Sequence, residues 1–359
     1  MITRIARAAK RLQEQSSVCR HEVPYAKSQA AIIQTDVKMY SMKQAKVTVI
    51  GAGNVGATAA QRLAEKNIAS VALVDIMGGV AAGKALDLME ARPVELHDRL
   101  IFGGDDYSIT AGSDVVLMTA GLARKPGMSR DDLLAKNAQI VKACIEAAHA
   151  QSPDAIFITV SNPVDAMTQL SHQILSAKGV PNNKIIGMAG VLDSSRMAFF
   201  IAEALNVSVK NIQPCVMGGH GDDMVPVARY TTVAGVPLPD LLPEAKINEI
   251  IERTQKGGIE IVNLLGTGSA FYAPASSSVE MIDAILNDKK QILPSSCMLT
   301  GEYGIDGVYV GVPAKLGKDG IEEILELKLN DQELADLKSS AESVKTNVAK
   351  MNELMSAAA

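Results

Sequence analysis

From position 46 onward, short apolar runs alternate with stretches whose apolar residues recur every three to four positions. Val47-Thr48-Val49-Ile50 is a short run rich in β-branched residues, followed by glycines and an apolar helical pattern through Leu63. Val71-Ala72-Leu73-Val74 repeats the strand signal, and Val80 to Met89 repeats the helical one. Val115-Val116-Leu117-Met118 and Ile156-Phe157-Ile158-Thr159-Val160 predict two more strands, separated by a long helix from about Arg130 to His149. Fully apolar strands alternating with helices imply a parallel sheet covered on both faces. The pattern therefore predicts an α/β doubly wound domain over residues 43–187.

After about Gly187 the alternation weakens. Helices are predicted from Leu192 to Leu205, from Glu244 to Leu265 and from Asp331 to Met351, the last highly charged. Val308-Tyr309-Val310-Gly311-Val312 and its neighbours suggest antiparallel strands between them. A mixed α+β second domain over residues 188–356 fits this pattern, and no internal repeat or low-complexity tract interrupts it. Residues 1–42 are different. They carry Arg4, Arg7, Lys10, Arg11, Arg20, Lys27 and Lys38 against Glu14, Glu22 and Asp36 as the acids. An Arg-rich, acid-poor segment reads as an organelle-targeting peptide, a disordered extension, or the product of a start codon upstream of Met42. Met42-Lys43 directly before a strong strand favours the last two, and a cytoplasmic protein is expected.

Composition narrows the class. A chain of 359 residues, 47% hydrophobic and without tryptophan, can bury a large core, in two lobes rather than one. Its longest apolar runs are too short to span a bilayer. The net charge of −5 argues against nucleic acid or an acidic membrane as partner. Cys19, Cys144, Cys215 and Cys297 lie far apart, with no C-x-x-C pair and no histidine at ligand spacing. That pattern implies a reducing compartment, buried thiols and no structural metal site. Against this acidic background the stretch GLARKPGMSR (Gly121 to Arg130) carries three cations. Its glycines and proline predict a loop. The cations are either solvated surface charges or a site for a small anion.

Two constellations carry chemistry. Gly51-Ala52-Gly53-Asn54-Val55-Gly56 directly follows the first strand and opens the first helix, and Asp75 closes the second strand. In that context G-x-G-x-x-G is the phosphate-binding turn of a Rossmann dinucleotide domain. The glycines permit a tight turn and the close approach of a pyrophosphate at a helix N-terminus. Asp75 suits the ribose hydroxyls and would repel a 2′-phosphate, and Ile76, Met77 and Gly78 offer no cation to offset it, so NAD is the expected cofactor. The competing view is a plain glycine turn with a capping acid. The second constellation contains His220, in the glycine-rich Gly218-Gly219-His220-Gly221-Asp222. His21 lies in the extension, His97 by Arg and Asp in what reads as a surface segment, and His149 and His172 in helical patterns. An imidazole suits the proton transfer that accompanies hydride transfer from an alcohol. Asp193 and Arg196 lie three apart at a predicted helix start and share a face. Asp193 could fix the His220 tautomer and Arg196 could hold a carboxylate, or the two could form an ordinary ion pair.

These residues resemble the lactate/malate dehydrogenase family, in particular its malate dehydrogenases of lactate-dehydrogenase-like type, from roughly Lys43 to the C-terminus. GAGNVG, Asp75, TAG at Thr119, ARKPGMSRDDLL, VSNP at Val160, LDSSR and GGHGDDMVP carry the resemblance, and the N-terminal extension is what the family usually lacks. It implies an NAD-dependent oxidoreductase of malate and oxaloacetate, a homodimer or homotetramer. It implies His220 as proton acceptor with Asp193 as its partner, and Arg196 as clamp for the C1 carboxylate. Arg130 would polarise the carbonyl from a mobile loop, and Asn162 would contact substrate and the nicotinamide ribose. Gly51, Gly53, Asn54, Val55, Gly56, Asp75, Asn137 and Val160 complete the implied cofactor site, and Ser269 is expected to line the substrate pocket. Arg124 stands where lactate enzymes usually carry Gln, which implies a second substrate carboxylate facing it. A lactate dehydrogenase is the nearest alternative. An NAD-dependent glycosidase lacks its Cys–His metal pair here, and a silent NAD-binding protein would not need the complete catalytic set.

Overall fold

The computed structural model of the chain describes residues 44–122 and 129–357; residues 1–42, Arg124 and Lys125 lie outside them. With strands and helices numbered along the chain, β1 (Lys46–Ile50), β2 (Ser70–Val74), β3 (Ile101–Gly104), β4 (Val115–Met118), β5 (Ile156–Thr159) and β6 (Ile185–Gly187) run parallel. Their order is β3-β2-β1-β4-β5-β6, the Rossmann arrangement, with the change of direction between β1 and β4. Every residue of β2, β4 and β5 is buried, as an apolar strand between two helical layers requires. Helices α1 (Asn54–Glu65), α2 (Gly78–Glu95), α3 (Arg130–Gln151) and α4 (Val164–Ser176) supply those layers.

The sheet continues antiparallel into the second half. β6 pairs β12 (Gln291–Thr300), which pairs β13 (Asp306–Gly317). β13 carries β8 (Val216–Gly218) and β14 (Gly320–Ile324), and β8 pairs β9 (Met224–Pro226). A small sheet joins β7 (Ile212–Gln213), β10 (Thr232–Val233) and β11 (Val236–Pro237). Around these lie α5 (Gly190–Leu205), α6 (Glu244–Leu265), α7 (Tyr272–Leu286) and α8 (Asp331–Ala357). The Rossmann sheet and the mixed second half agree with the fold expected from the pattern.

The pattern does not reveal every element. β3 contains two glycines in four residues and gives no apolar run. In α4 every residue from Val164 to Ser171 is buried, and nine residues of α7 are buried, among them Ser277 and Ser278. A helix covered all round has no polar face, so its period vanishes from the sequence. α2 continues past Met89 through Pro93 to Glu95. His97, expected at the surface, is buried at 5% exposure, and its Nδ1 has no hydrogen-bond partner.

Candidate active site

The glycine turn is a main-chain structure. Gly51 sits at φ +102°, and its amide donates to the Val74 carbonyl at 2.7 Å, tying the turn to β2. A Cβ on Gly51 would lie 2.9 Å from the Thr119 Oγ1, and one on Gly56 would lie 1.9 Å from the Gly51 carbonyl oxygen. A Cβ on Gly53 would meet nothing within 4 Å among the described residues. Two glycines are thus required by the protein's own packing, whereas Gly53 leaves open space at the N-cap of α1, where no side chain caps the helix. Uncapped N–H groups beside open space fit the pyrophosphate of NAD. The Asp75 carboxylate accepts from the Ala52 amide through Oδ2 (2.7 Å) and from the Met77 amide through Oδ1 (2.9 Å), which fixes it at the end of β2. A cation does approach this turn, from α2: the Lys84 ammonium donates to the Ala52 carbonyl at 2.6 Å. Reading only the residues adjacent to Asp75 misses it.

The second constellation gathers around His220. Its Nδ1–H donates to Asp193 Oδ2 at 2.9 Å, which in the neutral ring leaves Nε2 as the acceptor nitrogen. Asp193 is 2% exposed and its Oδ1 lies 3.6 Å from an Arg196 nitrogen, an ion pair without a hydrogen bond. Burial opposes the imidazolium, yet the Asp193 carboxylate, by charge and hydrogen bond, raises the His220 pKa above the ordinary histidine value; Asp165 adds to this and Arg196 works against it. For Arg196, burial lowers the pKa and Asp193 partly restores it.

Asp193, Arg196 and His220 are therefore in one group. Asn162 is exposed beyond β5, and Val160 is buried beside it. Asn137 is 2% exposed, and its amide accepts from the Leu122 N–H (2.8 Å) while donating to the Asn162 carbonyl (2.9 Å). Arg130 is exposed in the first turn of α3, whose N-cap Ser129 forms a capping box with Asp132. Ser269 is exposed between α6 and α7. Neither makes a hydrogen bond or ion pair with the His220 group. Sequence reasoning missed Asp165 and Ser340, which bind the main chain of Gly219 and His220. The one available signal was Asp165 itself, an acid two residues after the Asn162-Pro163 turn.

The lactate/malate dehydrogenase NAD binding domain matches residues 45–187, and the lactate/malate dehydrogenase alpha/beta C-terminal domain matches residues 190–355. The chain belongs to this family; it is an NAD-dependent oxidoreductase. It is 55% identical over 311 residues to the malate dehydrogenase of Chloroherpeton thalassium, covering 86% of this chain and 99% of that relative. The malate dehydrogenase structure from Salinibacter ruber is similar at a TM-score of 0.83 and 48% identity, covering 88% of this chain and 100% of that one. The lactate dehydrogenase of Cryptosporidium parvum, solved with lactic acid and the dinucleotide, gives the same TM-score at 38% identity, with 87% and 99% covered. Backbone similarity does not separate the two substrates. Sequence does.

Proposed function

We propose that this chain is an NAD-dependent malate dehydrogenase that interconverts (S)-malate and oxaloacetate. The observation that carries this reading is the 2.9 Å contact from His220 to a buried Asp193 beside Arg196, in a chain 55% identical to a named malate dehydrogenase. When bound, NAD supplies a nicotinamide ring that takes up or returns the hydride at C2 of the substrate. His220 Nε2 takes the hydroxyl proton as the hydride leaves malate, and Asp193 stabilises the imidazolium that results. Arg196 holds the C1 carboxylate, Arg130 polarises the C2 carbonyl, and Asn162 and Ser269 line the substrate. The main chain of Gly51, Gly53, Asn54, Val55 and Gly56 cradles the pyrophosphate, Asp75 accepts from the adenosine ribose, and Val160 borders the nicotinamide. Asn137 acts through its bonds to Leu122 and Asn162, fixing the walls of the cofactor site.

Specificity for a dicarboxylate rests on Arg124. In a closed, desolvated site a guanidinium facing a second carboxylate favours malate, and left unpaired it penalises a monocarboxylate. The oxidation of NADH followed with oxaloacetate and with pyruvate, side by side, tests this. Oxaloacetate is expected to be turned over far faster; equal or faster turnover of pyruvate overturns the reading.

The same reading makes the enzyme a cytoplasmic homodimer or homotetramer. Exposed apolar side chains at Phe199 on α5 and at Ile259 and Val262 on α6 support a subunit contact. Free Cys144, Cys215 and Cys297 suit a reducing compartment. Sedimentation of the purified protein as a monomer would remove the oligomeric part.

A further inference from the structure

A catalytic histidine in a glycine-rich loop poses a problem that the His220–Asp193 pair does not solve. Gly218 and Gly221 flank it at φ +82° and +93°, and glycine adds backbone freedom where the ring must be still. Buried side chains from distant segments hold this loop. Asp165 Oδ2 accepts from the His220 N–H at 2.8 Å, and Asp165 Oδ1 accepts from the Ser296 hydroxyl at 2.6 Å. Ser340 Oγ accepts from the Gly219 N–H at 2.7 Å and donates to the Asp223 carbonyl at 2.6 Å.

We propose that Asp165 is a positioning residue for the proton transfer: its buried carboxylate pins the main chain of His220 and adds a second anion to the cluster around the imidazole. This rests on the role of His220 given above. An acid in the first turn of a helix ordinarily stabilises that helix. Asp165 does not act that way alone. The N-cap of α4 is Pro163 and receives no side-chain bond, and the Asp165 carboxylate bonds outward, to His220 and Ser296. A carboxylate only 6% exposed is costly unless its oxygens are bonded, and here the bonds go to the catalytic loop.

His220 is thereby gripped twice, at the ring by Asp193 and at the main chain by Asp165. Among the described residues, the charged groups that face the imidazole are Asp193 and Arg196 from α5 and Asp165 from α4. α8 presents Ser340 and Val344 to the same loop, neither of which ionises. Burial pushes the Asp165 carboxyl up; the Ser296 hydroxyl, the His220 amide and the imidazole itself pull it down, and the Asp193 charge pushes it up again.

Two variants separate pinning from charge. Asp165→Asn keeps the shape: its carbonyl accepts from the His220 N–H while its amide donates to Ser296, and only the charge is lost. Its kcat is expected within about tenfold of wild type, while the pH at which oxaloacetate reduction falls to half moves down by roughly half a unit or more. Asp165→Ala loses the pin as well, and kcat is expected to drop about tenfold or more with the Kd for NADH unchanged. The proposal is overturned if both variants match wild type in kcat and in pH profile. It is equally overturned if NADH affinity and kcat fall together, since that marks general loosening. Where Asp165→Ala does not fold, Asp165→Asn decides, and an unmoved pH profile overturns the proposal. An inactive wild type, or an active His220→Asn, overturns the functional reading instead, so the two failures are distinguishable.

Discussion

The glycine turn and the histidine pocket are built on opposite plans. The turn is one contiguous hexapeptide whose useful property is the absence of side chains: Gly51 and Gly56 pack against the protein's own backbone, and Gly53 leaves space outside it. The pocket is made of side chains from α4, α5, β12, α8 and the loop after β8, joined across separations of 27 to 131 residues. A site defined by shape is broken by adding atoms. A site defined by charge and hydrogen bonds is broken by removing them.

The largest effect is expected from His220→Asn, which removes the proposed proton acceptor without touching the turn. Turnover should fall about 10²–10⁴-fold while the Kd for NADH stays near wild type, and an equal loss of NADH affinity would show that the two regions are not separable. Next comes Arg124→Gln. Leaving the distal carboxylate unpaired typically costs about 2–5 kcal/mol, so kcat/KM for oxaloacetate should fall at least roughly thirtyfold while pyruvate loses nothing. Lys125→Gln is the control, and a shift of the substrate ratio by that variant alone would place the specificity one residue further along.

On the other side of the comparison, Gly56→Ala forces a Cβ to within 1.9 Å of the Gly51 carbonyl oxygen and should destabilise the unliganded protein by about 1–3 kcal/mol, read from its denaturation midpoint. Gly53→Ala meets no atom of the described residues, so its midpoint should not fall, but NADH affinity should. If both variants lose stability alike, the contrast between packing glycines and an open one is wrong. The smallest effect is in the pH profile. Because Asp193 raises the His220 pKa, the imidazolium proposed to donate during oxaloacetate reduction persists above the ordinary histidine range. Reduction should therefore fall off as pH rises through that raised value, and malate oxidation, which needs the neutral ring, should rise through it. In Asp193→Asn the inflection should move down, and a fixed inflection would mean that another group titrates.

The same contrast explains what was legible in the sequence. Strands β1, β2, β4 and β5 and the hexapeptide after β1 are local signals, and all were legible. β3 and the largely buried helices α4 and α7 were not, because two glycines erase a strand's pattern and burial over most of a helix's surface blurs its period. At the catalytic centre, residue type and loop chemistry singled out His220, and the spacing of Asp193 and Arg196 placed that pair on one helix face. The hydrogen bonds from Asp165 and Ser340 to the loop span 55 and 121 residues, and no spacing rule reaches that far. Lys84 was missed for the same reason: it enters the turn from the next helix.

The fastening of the histidine loop by α8 has a consequence for the order in which the protein is made. Ser340 and Ser343, which bind the loop at Gly219 and Asp223, leave the ribosome well after the loop itself. A nascent chain that has just emerged past β6 already carries every residue of the glycine turn and of the parallel strands behind it. Its histidine loop has not yet emerged, and once it has, the bonds at Gly219 and Asp223 wait for α8 to dock. The dinucleotide half thus precedes the half that carries His220 during synthesis, and the histidine loop is completed by residues translated after it.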